Sequence, residues 1–119
     1  MKENRKAERI KAASFAKVCN QRGHILLGYL GNLTPEGAMC VGEKMIKPNR
    51  TIDLEIEFYG KTEIPDGYLS LPARVVRCKL EPETGYYHTG FEFLAVTDEI
   101  RHSIELLVKR YRSNLNIPL

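Results

Sequence analysis

Two small groups of residues in this 119-residue chain could do chemistry. Arg5 and Arg9 stand four apart near the start, and an amide, a hydroxyl and a glycine follow at Asn32, Thr34 and Gly37. A guanidinium is a planar fork that grips phosphate through two parallel hydrogen bonds and also fits the O6/N7 edge of guanine. It can lie flat on a base as well. Residues four apart share a helix face, and even spacing puts them on one side of an extended segment. Both forks can therefore address one target in either conformation. Asn32 and Thr34 alternate onto one face of a strand, where an amide beside a hydroxyl can read a base edge. Gly37 lets the backbone turn and a ligand come close. Each group also has a plainer account. R-x-x-x-R arises by chance in basic segments, and Asn, Pro and Gly are ordinary hairpin residues.

Other chemistry is missing. His24, His88 and His102 are scattered, with no H-E-x-x-H and no cysteine at ligand spacing. There is no G-x-S-x-G, Walker A loop or dinucleotide fingerprint. Glu55 and Glu57 form a carboxylate pair, but on the wet face of a strand, where solvation accounts for them. Cys19, Cys40 and Cys78 are an odd, widely spaced set that reads as small hydrophobes in a reducing compartment rather than a disulfide or zinc framework. These absences argue for a binding module and against an enzyme, with no metal or cofactor expected.

The bulk properties agree. A chain of this length is one domain, and 43% hydrophobic residues supply one modest core. The net charge of +3 suits a small phosphate-bearing ligand but falls short of the dense basic face of a general DNA or RNA binder. The first residues are charged and lack the apolar core of a secretory signal, and apolar runs are short, so the expected location is cytoplasmic, without membrane insertion.

The elements that must position these residues are short strands. Residues 1–13 are polar and basic and read as a flexible arm, ordered weakly or only on binding. Runs at 15–19, 24–33 and 38–41 are separated by turns at Gln21-Arg22-Gly23 and Pro35-Glu36-Gly37. Residues 51–58 alternate cleanly, with Ile52, Leu54, Ile56 and Phe58 against Asp53, Glu55 and Glu57. A further turn is expected at Ile64-Pro65-Asp66-Gly67. In 69–80, Leu71, Ala73 and Val75 share one face, but Val76, Cys78 and Leu80 share the other, which predicts a bulge near Val75 and Val76. After a hairpin at 81–85, Tyr87, Thr89, Phe91 and Phe93 are expected to point one way. Strands at this spacing favour a barrel or sandwich. The end is helical: Ile100, Ile104, Leu107, Val108 and Tyr111 form one stripe, Thr97 can cap it, and Lys109, Arg110 and Arg112 suit its last turn.

Taken in order, Arg5 and Arg9, then Asn32-x-Thr34-x-x-Gly37, then Ala73-Arg74-Val75-Val76-Arg77, Gly90-Phe91-Glu92-Phe93 and a final helix, the chain resembles the PilZ domain family of bacterial cyclic di-GMP receptors. The resemblance covers nearly the whole chain. It implies a six-stranded antiparallel split barrel over 14–95, a clamping arm at 1–13 and a helix over 96–113 packed on the barrel. It also implies cyclic di-GMP as ligand, with Arg5 and Arg9 on guanine and phosphate oxygens, Asn32 and Thr34 on the guanine edge, and Gly37 keeping the turn open. Arg77 is a further candidate for stacking on a base, or an exposed strand arginine. Two residues depart from the commonest pattern. Asn32 replaces Asp and offers guanine one acceptor where a carboxylate offers two; Thr34 replaces Ser and adds a methyl. Each change weakens binding by on the order of 1 kcal/mol. The implied partner is an effector protein that reads the bound state, in motility, exopolysaccharide or pilus control, with the receptor a monomer or homodimer. The alternative within the family is a ligand-independent adaptor. A single-stranded nucleic-acid binder ranks behind both, since the chain has no Trp and its Phe residues fall mostly on core positions.

Overall fold

The computed structural model describes residues 16–59 and 67–115. The expected arm at 1–13, with Arg5 and Arg9, lies outside them, as does the turn at 64–67 apart from Gly67. Six strands follow in order: β1 (Ala16–Asn20), β2 (Ile25–Thr34), β3 (Gly37–Gly42), β4 (Thr51–Phe58), β5 (Tyr68–Glu81) and β6 (Tyr86–Phe93). A 3-10 turn, Arg22–His24, joins β1 to β2, and helix α1 (Asp98–Leu115) ends the chain. The strands close into an antiparallel barrel in the order β1-β2-β3-β6-β5-β4.

Alternation dictates which residues fill it. In β4 the expected four side chains, Ile52, Leu54, Ile56 and Phe58, are buried, and the acids between them face water. Glu57 meets Lys17 at 3.5 Å and Glu55 meets His24 at 3.7 Å, so this carboxylate pair has ordinary surface partners. In β5, Leu69, Leu71, Ala73 and Val75 point inward. The register to β6 then slips between Val75 and Arg77, which is the bulge the parity switch required. In β6, Thr89, Phe91 and Phe93 are buried as expected. Tyr87 is only half-buried and Tyr86 is buried instead. Tyr87 pairs with Gly42 and Leu80 at the hairpin end of the strand and keeps the face of Thr89 and Phe91, since β6 runs against β3 in unbroken register. Tyr86 finds cover in a pocket beside the start of β2.

The helix seals its apolar stripe against this core. Thr97 accepts the Ile100 N–H at 3.1 Å, forming the expected cap, with Asp98 and Glu99 in the first turn, where the helix dipole favours acids. Ile104 and Leu107 are fully buried and Ile100 and Val108 pack beside them, while α1 lies against β2. The helix continues to Leu115, so Lys109 and Arg110 precede its last turn.

The antiparallel register sorts the connections between two ends. The start of β1, the β2–β3 turn and the end of β6 share one end. The 3-10 turn, residues 43–50 and the β5–β6 hairpin share the other.

Two measurements test this packing. Leu107→Ala should cost about 2–5 kcal/mol in urea denaturation, whereas Leu106→Ala, next to it but exposed, should change stability by no more than about 0.5 kcal/mol. Burial pushes the Cys40 thiol up to about 12, with Cys78 and Cys19 adding to the effect, against 9.0 for an exposed thiol. Across that window the unfolded chain sheds a proton that the folded chain keeps, so stability is full below it and falls as pH rises through it. Cys40→Ala should flatten that alkaline fall in the urea midpoint.

Candidate functional site

The site begins with a bulge in β2. Leu30 pairs with Cys40 and Asn32 with Met39, so Gly31 is an extra residue with no partner on β3. Without it, Asn32 would follow Leu30 into the core two residues later. With it, Leu33 takes the inward place and Asn32 and Thr34 turn outward together. A Cβ on Gly31 would come within 2.6 Å of the Met39 methyl, so only a glycine sits there without moving Met39.

The turn that follows is held by Thr34. Pro35 fixes one backbone angle, and neither Pro35 nor Glu36 takes a positive φ, so this is not one of the primed two-residue turns. Thr34 Oγ1 instead accepts the N–H groups of Glu36 at 3.3 Å and Gly37 at 3.2 Å. Gly37 has an extended role rather than a turning one. A Cβ there would overlap the carbonyl oxygen of Phe91, so the glycine allows β3 to lie close against β6. Asn32 is also engaged: its Oδ1 accepts the Leu33 N–H at 2.8 Å. Its amide N–H donors have no partner among the described residues.

Asn32, Thr34 and Gly37 line one shallow groove of about 350 Å³ with Glu36, Ala38, Met39, Phe91 and Glu92. Two carboxylates in this groove oppose an anionic ligand, and each is matched. Glu36 meets Arg101 of α1 at 3.8 Å, and Glu92 meets Arg74 of β5 at 3.4 Å. The groove is therefore close to neutral, and a phosphate needs cations from elsewhere. Met39 also borders a second groove of about 420 Å³, lined by Arg77, Lys79, His88 and Gly90 with Leu80 and Glu81. Arg77 and Lys79 are exposed there, with no carboxylate at ion-pairing distance among the described residues. The β5 bulge aims them outward.

Of the five candidate residues, the structure brings three together; Arg5 and Arg9 lie outside the described residues. Lys79, His88 and Met39 border the site without having been singled out by sequence. Their signal was the parity switch in β5, which fixes the faces of Arg77 and Lys79 after the bulge. Among the described residues no three His, Cys, Asp or Glu side chains gather to hold a metal, and no helix is long and apolar enough to cross a membrane.

A PilZ domain family model matches residues 3–110, and the chain belongs to that family. Among solved structures it resembles the inhibitor of motility MotI/DgrA of Bacillus subtilis, with a TM-score of 0.61 and 12% identity over 84% of this chain and 47% of that one. The chain thus spans about half the length of that protein. It also resembles the PilZ domain of YcgR from Escherichia coli, solved with c-di-GMP, with a TM-score of 0.58 and 12% identity over 90% of this chain and 91% of that one. Likeness at this identity shows the shared fold. No curated protein matches the chain.

The turn chemistry predicts two distinct losses. Thr34→Val removes the acceptor for two N–H groups and should lower stability by about 1–2 kcal/mol. Gly37→Ala should cost roughly 1–3 kcal/mol by forcing β3 from β6, and amide hydrogen exchange should rise along that strand pair.

Proposed function

We propose that this PilZ domain is a cyclic di-GMP receptor and a binding module rather than an enzyme. In this reading the groove beside Asn32, Thr34 and Gly37 seats a guanine, and Arg5 and Arg9 fold down to hold guanine and phosphate oxygens. Arg77 and Lys79 extend the cationic surface along β5.

The observation that supports this best is the bulge at Gly31, which turns an amide and a hydroxyl outward at the barrel end where the chain enters β1. Lys17 pairs with Tyr29, so β1 begins only a few residues along β2 from Asn32. The seven positions from Arg9 to Ala16 can span up to about 25 Å, which is ample reach. The near-neutral groove gives the arginines their task, because its own carboxylates are already matched. The match to a family that includes a domain solved with c-di-GMP supports the ligand. Closure of residues 1–13 over the ligand would present a new surface to an effector protein.

A ligand-independent adaptor is the second reading. It draws on the Thr34 hydroxyl and the Asn32 oxygen, which already serve their own backbone.

Calorimetry with cyclic di-GMP separates the two. The receptor reading expects micromolar or tighter binding, weakened about 10- to 100-fold by Arg5→Ala or Arg9→Ala through loss of charge-assisted hydrogen bonds. The thermal midpoint of the free protein should stay nearly unchanged. Asn32→Asp should tighten binding several-fold, because a carboxylate adds an acceptor for the guanine N–H groups. Absence of heat from folded protein favours the adaptor.

A further inference from the structure

The end of the barrel opposite the β2–β3 turn carries a second, chemically different cavity. It holds about 310 Å³ between the start of β2, the end of β3 and the segment 43–50, with Tyr86 at one wall. Its lining is largely apolar. Around it Ile25, Leu26 and Met45 are 57%, 48% and 64% exposed, a group of large apolar side chains gathered at one opening, where such patches often mark a site of interaction.

The wall is firmly held. Ile46 is buried in the core, and its N–H points at the Cys78 sulfur at 3.4 Å. Asn49 N–H donates to the Val75 carbonyl at 2.7 Å, and Val75 N–H donates to the Arg50 carbonyl at 2.8 Å. The Asn49 side chain also accepts from Arg74 at 3.1 Å. The exposed residues Lys44 and Met45 therefore stand on a segment anchored on the core at Ile46 and strapped to β5, and not on a loose loop.

Charge says what covers this mouth. Segment 43–50 carries Lys44, Lys47 and Arg50 against one acid, Glu43; Lys44, Arg50 and Glu43 line the cavity, and Lys47 stands on the same segment. No carboxylate lies at ion-pairing distance from these three cations among the described residues. One acid of the neighbouring hairpin is engaged elsewhere: the Glu81 carboxylate accepts the Glu83 N–H at 3.3 Å and borders the outer groove. We propose that this end docks a protein segment that presents apolar side chains among acidic ones. The apolar residues enter the cavity over Ile25, Leu26 and Met45, and the acids meet Lys44 and Arg50 at its lining, with Lys47 on the same segment. Methionine suits this use, because its flexible, polarizable side chain adapts to the incoming surface. A second copy of the chain fits badly, since a two-fold contact would set these cations against their own copies. A small ligand inside the cavity would leave the three rim side chains wet. The inference does not depend on the nucleotide reading.

The test uses the full chain with labelled Ile, Leu and Met methyl groups. One synthetic helical peptide carries leucines on one face among glutamates, and its twin carries lysines in place of the glutamates. The glutamate peptide should shift the methyl resonances of Ile25, Leu26 and Met45, with affinity falling as salt rises. The lysine twin should bind about three- to tenfold more weakly or not at all. Lys44→Glu combined with Arg50→Glu should reverse that preference and leave the thermal midpoint unchanged. The proposal is overturned if these methyls stay still at millimolar peptide, or if both peptides act alike. It is equally overturned if sedimentation shows self-association through Leu26 and Met45, or if dodecanoate occupies the cavity more tightly than the peptide. Loss of cyclic di-GMP binding would leave all of these results standing, so the two readings fail separately.

Discussion

One unpaired residue decides what the outer face of this barrel can do. Strand β2 must contribute Leu30 and Leu33 to the core, and these lie three apart, where a regular strand allows only even spacing. The extra residue at Gly31 reconciles them. The price is a local loss of ladder pairing, and the result is that Asn32 and Thr34 face outward side by side. The outward pair in the groove descends from that offset, and the turn held by Thr34 follows it. The close approach at Gly37 and the ion pairs of Glu36 and Glu92 complete the groove from the neighbouring strands and α1.

Electrostatics divides the molecule. The groove near the β2–β3 turn is neutralised internally, by arginines that reach it from α1 and β5. It therefore presents hydrogen-bonding groups without a strong field of its own. The opposite end carries exposed apolar side chains and cations that have no ion-pair partner among the described residues. A compact polar ligand and an extended protein surface want those different environments. The bulge in β5 stands between them: Val75 holds the strap of segment 43–50, and Arg77 two residues later borders the outer groove.

Much of this was readable from residue order, for stated reasons. β4 alternates without interruption, so its register and buried face follow from period two alone. The parity change from Val75 to Val76 announced its bulge, because inward residues cannot change sides otherwise. The helix was marked by Thr97 and by the spacing of Ile100, Ile104 and Leu107. The bulge in β2 was less visible, though Leu30 and Leu33 with a glycine between them carry it. Tyr87 keeps the face of Thr89 and Phe91, as alternation requires, but alternation does not say how deeply each of them is buried. The pairing of Glu36 with Arg101 and Glu92 with Arg74 was hidden altogether, since it joins residues far apart in the chain. The close approach of Gly37 to Phe91 was hidden for the same reason, since the two lie on different strands.

Closure of the sheet has its own consequence. Each of the six strands has a neighbour on both sides along the closed part of the ring. Beyond it, among the described residues, Leu30–Thr34 of β2 pair only with β3, and Arg77–Glu81 of β5 pair only with β6. Within the closed ring a visiting chain cannot join as a further strand. Recognition there is confined to side chains and loops, and its specificity is written in residues that can change without disturbing the ring.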